Sequence, residues 1–190
     1  MGADEQLRLS RSALSDLLHR FARQLSDRRV VADVHIFGGA ALLLDVWPTR
    51  KSTLDVDAWL NVTEPRDPEA CRGHVVDVVA AVGGGRQDWL DQRGAMFLPE
   101  AIDPSTWRVV LSNREVRIRL APPEVLLAMK LRAGRGRRDF PDADRLLTHL
   151  GWSSTALVVE QYSALYPDDP MPERSARWLS RRLGGAHSGC

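Results

Sequence analysis

Apolar residues recur along the chain with two spacings, one typical of helices and one typical of strands. Leu14, Leu18, Phe21 and Leu25 follow one another at intervals of three and four, which predicts an amphipathic helix over 6–28. Alternating and β-branched apolar residues predict strands. In chain order the predicted elements are a helix over 6–28, a strand over 30–37, a short helix over 40–46, a strand over 54–60, a helix over 68–82, strands over 107–111 and 115–120, a helix opened by Pro122-Pro123 and ended by Gly134 and Gly136, and helices over 139–150, 153–165 and 171–183.

This order predicts an α/β (α+β) fold, with a small mixed sheet flanked by helices and followed by a helical C-terminal part. We expect two domains, an α/β core with an N-terminal helix over 1–120 and a helical subdomain over 121–190. The stretch over 86–104 lacks either spacing and is expected to be irregular.

Two acids lie two residues apart inside the predicted strand LDVDAWL. Side chains at i and i+2 share one face of a strand, so Asp55 and Asp57 should point the same way and Leu54, Val56 and Ala58 the other. Two ionised carboxylates this close repel each other, and a cation should compensate. Mg²⁺ is the natural candidate, since it takes carboxylate oxygens. The alternative is that one acid faces solvent and pairs with an arginine.

Gly38-Gly39 lies between a predicted strand and a predicted helix. Glycine there allows the backbone to approach a ligand closely, and a helix start offers N–H groups to a phosphate. A glycine pair alone is weak evidence, because turns use it often. The order strand, glycine pair, helix and acid-bearing strand is far more specific.

This combination resembles the nucleotidyltransferase superfamily that shares the DNA polymerase β fold, in which a glycine turn holds triphosphate and paired acids hold a divalent metal. KSTLDVD (51–57) resembles the R-x-T-x-D-x-D signature of AbiEii-like bacterial nucleotidyltransferases, which have toxin relatives. DWLDQRGAMFLP (88–99) resembles their W-L-N-x-x-x-x-x-F-x-P segment. LLAMKLRAGRGRRDFPDADRLL (126–147) resembles their L-L-x-x-K-L-x-A…R-D-x-x-D…L-L block.

The resemblance implies a set of site residues and a nucleotidyltransferase fold for the sheet. The implied metal ligands are Asp55 and Asp57, the implied catalytic residues are Asp55, Asp57, Lys130 and Asp139, and the implied nucleotide-binding residues are Gly38, Gly39, Lys51, Thr53 and Lys130. Lys51 stands where arginine is usual, with Arg50 beside it.

Two of these positions leave alternatives open, and a third carboxylate stays unassigned. Lys130 could instead be an exposed helix lysine. Asp139 is implied to organise the catalytic lysine, but it could also be the N-cap of the following helix, with Pro141 in the first turn. The nearest candidate for a third carboxylate is Glu115, which we do not count as a site residue because a pair with Arg117 or Arg119 is at least as plausible.

The implied function is Mg²⁺-dependent transfer of a nucleoside monophosphate from an NTP to an acceptor. The resemblance suggests tRNA as the acceptor, in a toxin–antitoxin setting with a cognate antitoxin protein. One alternative is a small hydroxylated acceptor, as in aminoglycoside nucleotidyltransferases. Another is a non-catalytic nucleotide-binding or antitoxin-like interaction module.

Composition says little about the partners of the chain or its location in the cell. The net charge of +1 forces no partner, and no apolar stretch is long enough to cross a membrane. The cysteines, Cys71 and Cys190, make neither a disulfide framework nor a metal knuckle, so we expect a cytoplasmic protein. Two arginine clusters suit phosphates or nucleic acid, or are solvated helix faces. They comprise Arg132, Arg135, Arg137 and Arg138, and Arg174, Arg177, Arg181 and Arg182.

Overall fold

The computed structural model describes residues 8–63, 68–100 and 102–184, with side chains described from residue 72 in the second of these ranges. The chain forms two compact units, the first comprising residues up to Met96 with Pro104–Ala121, and the second comprising Phe97–Asp103 with the residues from Pro122 onward. Cys190 and the side chain of Cys71 lie outside the described part, so the prediction about the cysteines stays a prediction.

A five-stranded mixed sheet is the centre of the first unit. Its strands are β1 (Ala32–Ile36), β2 (Val56–Val62), β3 (Leu90–Asp91), β4 (Arg108–Ser112) and β5 (Val116–Leu120). They lie in the order β3-β2-β1-β5-β4. β1 is antiparallel to β2 and parallel to β5, β2 is parallel to β3, and β4 is antiparallel to β5. The predicted small mixed sheet is confirmed.

Helices cover this sheet and close its core. The α-helices described in the first unit are α1 (Arg11–Asp27), α2 (Gly38–Ala41), which continues as a π-helical turn over Leu42–Val46, and α3 (Pro68–Val82). The apolar stripe of α1 is buried, as its spacing predicts. Phe21 of this stripe meets Trp89 edge to face at 5.5 Å between ring centroids. The Trp89 indole N–H donates to the Val79 carbonyl at 2.8 Å, which ties the segment before β3 to α3.

The described residues from Pro122 onward form four α-helices. They are α4 (Pro123–Ala133), α5 (Gly136–Leu150), α6 (Thr155–Leu165) and α7 (Glu173–Gly184). The predicted helical C-terminal part is therefore confirmed. Gly134 ends α4 in the left-handed conformation, with φ of 55°. Gly136 was predicted to end α4 as well, but it begins α5. Among the described helices, none combines the length and the hydropathy that a membrane-spanning helix requires.

Two predicted boundaries near the glycine pair are wrong. α2 begins at Gly38, so the glycines form its first turn instead of preceding it. β2 begins at Val56, so Asp55 lies before the strand and Leu54 is 43% exposed. The late start of β2 has a tertiary reason. The backbone of Thr53 pairs with that of Leu9, which precedes α1, through N–H···O distances of 2.8 and 3.0 Å.

The sheet carries a charged and aromatic layer on the face opposite its aliphatic core. His35 is buried there, stacked on Trp59 at 5.1 Å and meeting the edge of Trp107 at 5.7 Å. Asp33 lies within ion-pair distance of Arg119, at 3.5 Å. Burial lowers the pKa of His35 below its ordinary 6.5; the Asp33 charge opposes this shift and the Arg119 charge adds to it.

This lowered pKa predicts a stability loss on acidification. At pH values between the pKa of His35 in the folded protein and 6.5, the unfolded chain binds more protons than the folded chain. The free energy of unfolding should therefore fall as the pH drops below 6.5. His35→Gln should remove that part of the slope. The measurement is the urea unfolding free energy at several pH values from 8 down to 5. His74→Gln changes an exposed histidine of the same unit and should keep the wild-type slope; equal slopes for both variants would contradict the assignment.

Candidate functional site

Three aspartates converge at the end of the sheet where β2 begins. The carboxylates of Asp55, Asp57 and Asp91 each offer an oxygen within 4.8 Å of the others, and all three residues are half-buried. Asp57 and Asp91 are register partners in the parallel β2–β3 pair. Asp55 precedes β2 by one residue, on the Asp57 side of the backbone. A third acid therefore joins the two that the sequence pattern singled out.

Two glycines enclose the carboxylate of Asp57. A Cβ atom on Gly38 would lie 2.0 Å from Asp57 Oδ2, and one on Gly94 would lie 3.2 Å from Oδ1. Gly38 also has φ of +64°, a left-handed conformation that favours glycine. The Phe37 N–H donates to the Asp57 carbonyl at 3.0 Å, which fixes the glycine turn against β2. Gly38 is thus needed where the backbone passes an acid side chain.

Thr53 positions the main chain at Asp55. Its hydroxyl donates to the Asp55 carbonyl at 3.1 Å, and the residue is 5% exposed. A Cβ on Gly39 would lie 2.8 Å from Thr53 Oγ1, so the second glycine makes room for this hydroxyl. Thr53 therefore supports the acids through the backbone.

The two cations expected beside this segment lie near its surface. Lys51 is exposed. The Arg50 guanidinium lies 5.6 Å from the centre of the Trp47 ring, and its Nη2 would be 3.8 Å from a Cβ on Gly39. Arg50, more than Lys51, is thus placed against the glycine turn.

Arg93 already holds the third acid. Its backbone N–H and Nε lie 2.8 and 3.0 Å from Asp91 Oδ1, and its Nη2 lies 2.8 Å from Oδ2. Hydrogen bonds from Arg93 lower the pKa of Asp91 below its usual value. The same bonds raise the pKa of Arg93, and the charges of Asp55 and Asp57 act in the same direction. The acidic cluster is thus partly neutralised by a residue of the chain.

The donor set fits a hard divalent cation such as Mg²⁺. Octahedral Mg²⁺ holds oxygens at about 2.1 Å, so two of its ligands lie at most roughly 4.2 Å apart. The 4.8 Å limit on the three oxygens is close to that span, within reach of small side-chain rotations. The three aspartates are therefore a possible metal site.

Lys130 and Asp139 belong to a buried ionic cluster of the second unit. Lys130 Nζ lies 3.2 Å from Asp139 Oδ1 and 2.9 Å from Asp142 Oδ2. The backbone N–H and the Nε of Arg135 both donate hydrogen bonds to Asp139 Oδ2, at 3.0 and 2.7 Å. Burial alone would raise the pKa of Asp139, but the bonds from Arg135 and the Lys130 charge outweigh it and lower the pKa.

The alternatives for Lys130 and Asp139 are wrong. Lys130 is 9% exposed, so it is not a surface lysine. α5 begins at Gly136 with Arg135 as its N-cap, so Asp139 lies inside the first turn and Pro141 inside the helix. Asp139 still serves the helix start, because it accepts the Arg135 N–H.

Glu115 is not near the acids. It precedes β5 and lies beside Ala32, whereas Asp57 pairs at the other end of β1, next to Phe37. Glu115 accepts a hydrogen bond from Ser26 and lies 3.7 Å from Arg114. The pairing expected with Arg117 or Arg119 is wrong, since both lie beside Asp33.

Asp91 was missed because its strand has two residues, too few for a periodic signal. One signal was available. Asp91 follows Trp89-Leu90 at the position of the asparagine in the W-L-N segment that this stretch resembles.

Comparison of the chain with protein-family models, curated proteins and solved structures finds no match. The family resemblance thus depends on the matching sequence segments, and the mixed sheet and acidic cluster are compatible with it.

The enclosure of Asp57 predicts an unusual cost for Gly38→Ala. Gly84 has nearly the same φ, +65°, but a Cβ there would meet nothing within 4 Å, so Gly84→Ala is a matched control. The left-handed conformation should cost each variant about 1–2 kcal/mol. The clash with Asp57 should cost Gly38→Ala roughly 1–3 kcal/mol more. Chemical unfolding measures the loss of stability in both variants. Equal losses would contradict the prediction that the Asp57 carboxylate leaves no room for a side chain at Gly38.

The buried lysine predicts a second contrast, between the chain's two lysines. Lys130→Met removes the cation that two buried carboxylates share, although Asp139 keeps its Arg135 contacts, and should destabilise the protein by about 3–5 kcal/mol. Lys51→Met alters an exposed residue and should stay within about 0.5 kcal/mol of wild type. Unfolding free energies at pH 7 give the comparison. A small loss for Lys130→Met would contradict the buried arrangement.

Proposed function

We propose that this chain is a Mg²⁺-dependent nucleotidyltransferase that moves a nucleoside monophosphate from an NTP to an acceptor. The observation that carries the proposal is the convergence of Asp55, Asp57 and Asp91 within 4.8 Å. The glycine turn that encloses Asp57 supports it, because it brings open backbone beside the acids. Carboxylates that can hold a divalent metal beside open backbone suit phosphate chemistry, because Mg²⁺ is usually bound by one or two carboxylates together with substrate phosphates.

In this proposal Asp55, Asp57 and Asp91 hold the metal. Bound Mg²⁺ would neutralise the nucleotide phosphates and the charge that develops as the α-phosphate is attacked. Thr53 keeps Asp55 in place through the main chain, and Gly38 leaves room for Asp57. The chain's own contribution is to hold three like charges close together before the substrate arrives.

The nucleotide contacts are proposed for residues around the same acids and on α4. Gly38 and Gly39 present backbone beside the cluster, and Lys51 offers an exposed ammonium suited to a phosphate. Lys130 is the proposed catalytic lysine of the helical subdomain. Asp139 fixes its ammonium with a contact of 3.2 Å, which fits an organising role.

RNA is the proposed acceptor, with tRNA the specific expectation and a cognate antitoxin the expected protein partner in the cytoplasm. Exposed arginines of α5 and α7 support an RNA backbone contact. They are Arg137, Arg138, Arg174 and Arg181.

One observation favours a second candidate function, a non-catalytic interaction module. Arg93 engages both oxygens of Asp91, which resembles an acidic site stabilised without metal. Lys51 stands where the R-x-T-x-D-x-D signature has arginine, which also favours a non-catalytic module.

The test is label transfer from each of the four NTPs to total tRNA or to small hydroxylated acceptors in the presence of Mg²⁺. Wild type should label tRNA with one nucleotide. Asp55→Asn with Asp57→Asn should lower transfer by at least roughly 100-fold, because metal ligands are lost. Asp88→Asn is the control, since this exposed acid lies in the same unit outside the cluster.

Two other results of this experiment would change the proposed function. Transfer to a small acceptor alone would replace RNA with an aminoglycoside-like substrate. Absence of metal and NTP binding in wild type would overturn the transferase and leave the interaction module.

A further inference from the structure

Arg93 makes several hydrogen bonds to Asp91, although its own side chain is exposed to solvent. Three of its donors lie 2.8–3.0 Å from the two carboxylate oxygens of Asp91. The Arg93 side chain is nevertheless 90% exposed, whereas that of Asp91 is 19% exposed. An ion pair of which one member is in solvent contributes little to stability. Arg93 can therefore exchange its partner without disturbing the sheet beneath it.

A second pair of the same type shows what distinguishes Arg93. Arg86 donates from Nε and Nη2 to Asp88 at 2.9 and 2.7 Å, across the same two-residue spacing. Asp88 is outside the acidic cluster found among the described residues. Arg93, in contrast, also lies in the field of Asp55 and Asp57. The Arg93 pair thus couples to a group of like charges.

Arg93 and a divalent cation would need the same oxygens. A metal ligand must offer a lone pair on an oxygen that faces the other ligands. A guanidinium that bridges both oxygens of a carboxylate uses one of the two in-plane lone pairs on each oxygen. The donors of Arg93 occupy most of these lone pairs on Asp91, so a metal ion that binds Asp91 competes with Arg93 for the same carboxylate.

The geometry points to Arg93 as a built-in counter-ion of the acidic cluster, which leaves Asp91 when a metal–nucleotide complex binds and then binds a phosphate of that nucleotide. This inference rests on the proposed function. In the metal-free protein Arg93 reduces the repulsion among the three carboxylates. In the complex its planar fork fits a phosphate as well as it fits a carboxylate.

This exchange predicts opposite effects of one substitution on two ligands. The probes are Mn²⁺ alone, followed by electron paramagnetic resonance, and Mn²⁺ with the α,β-methylene analogue of each ribonucleoside triphosphate. Arg93→Gln removes the competitor, so Mn²⁺ alone should bind roughly two- to fivefold more tightly. It also removes a phosphate contact, so the metal-dependent binding of the analogue should weaken roughly three- to tenfold.

Two further variants sharpen the result. Arg86→Gln removes the matched pair and should leave both affinities unchanged. Arg93→Lys keeps the charge without the two-pronged contact, and its affinities should lie between those of wild type and Arg93→Gln.

The contrary results separate this inference from the proposed function. Mn²⁺ binding that is equal in wild type and Arg93→Gln, and is lost in Asp55→Asn with Asp57→Asn, overturns the counter-ion role and leaves the metal site standing. Tighter Mn²⁺ binding with unchanged analogue binding overturns the phosphate contact. Absence of Mn²⁺ binding to wild type and to Arg93→Gln overturns both the inference and the metal-dependent function.

Discussion

Mutual repulsion among three aspartates is the constraint around which the first unit is arranged. Their oxygens lie within 4.8 Å of one another, a distance at which ionised carboxylates disfavour each other. They stay together because each is held by a different part of the chain. Thr53 fixes the backbone at Asp55, the glycine turn encloses Asp57, and pairing with β2 places Asp91. The sheet order, with β2 between β1 and β3, is what brings these supports to one end of the sheet.

The second unit also holds carboxylates close together, but there cations of the chain compensate their charge. There the acids are buried, and the compensating cation is built in. Lys130 lies between Asp139 and Asp142, and Arg135 covers Asp139 from the start of α5. A buried charge is tolerated only when it is paired and hydrogen-bonded, and this cluster satisfies that condition. The first unit leaves its negative charge near solvent, where a ligand can supply the balance.

Local signals predicted the parts of the fold that depend on neighbouring residues. The start of α3 at Pro68 and the end of α4 at Gly134 follow from the backbone preferences of proline and glycine. The features that were missed depend on distant partners. β2 starts late because Thr53 pairs with Leu9, and β3 exists only because β2 offers it an edge. Two of the three acids could thus be found from the i and i+2 pattern, whereas Asp91 required the fold.

The pairing of β3 with β2 covers only two residue pairs, and the Val56 N–H to Trp89 carbonyl bond of 2.7 Å secures its beginning. Local opening costs between almost nothing and the full free energy of global unfolding, and an edge strand such as β3 has one neighbouring strand in place of two. Asp55 and Asp57 belong to the chain around the central strands, but Asp91 belongs to this edge. Fraying of β3 would therefore remove one carboxylate while the other two stay in place. Two of the three carboxylates thus depend on β2 and the residues just before it, and the third depends on two residue pairs at the sheet edge and on the buried Trp89 that precedes them.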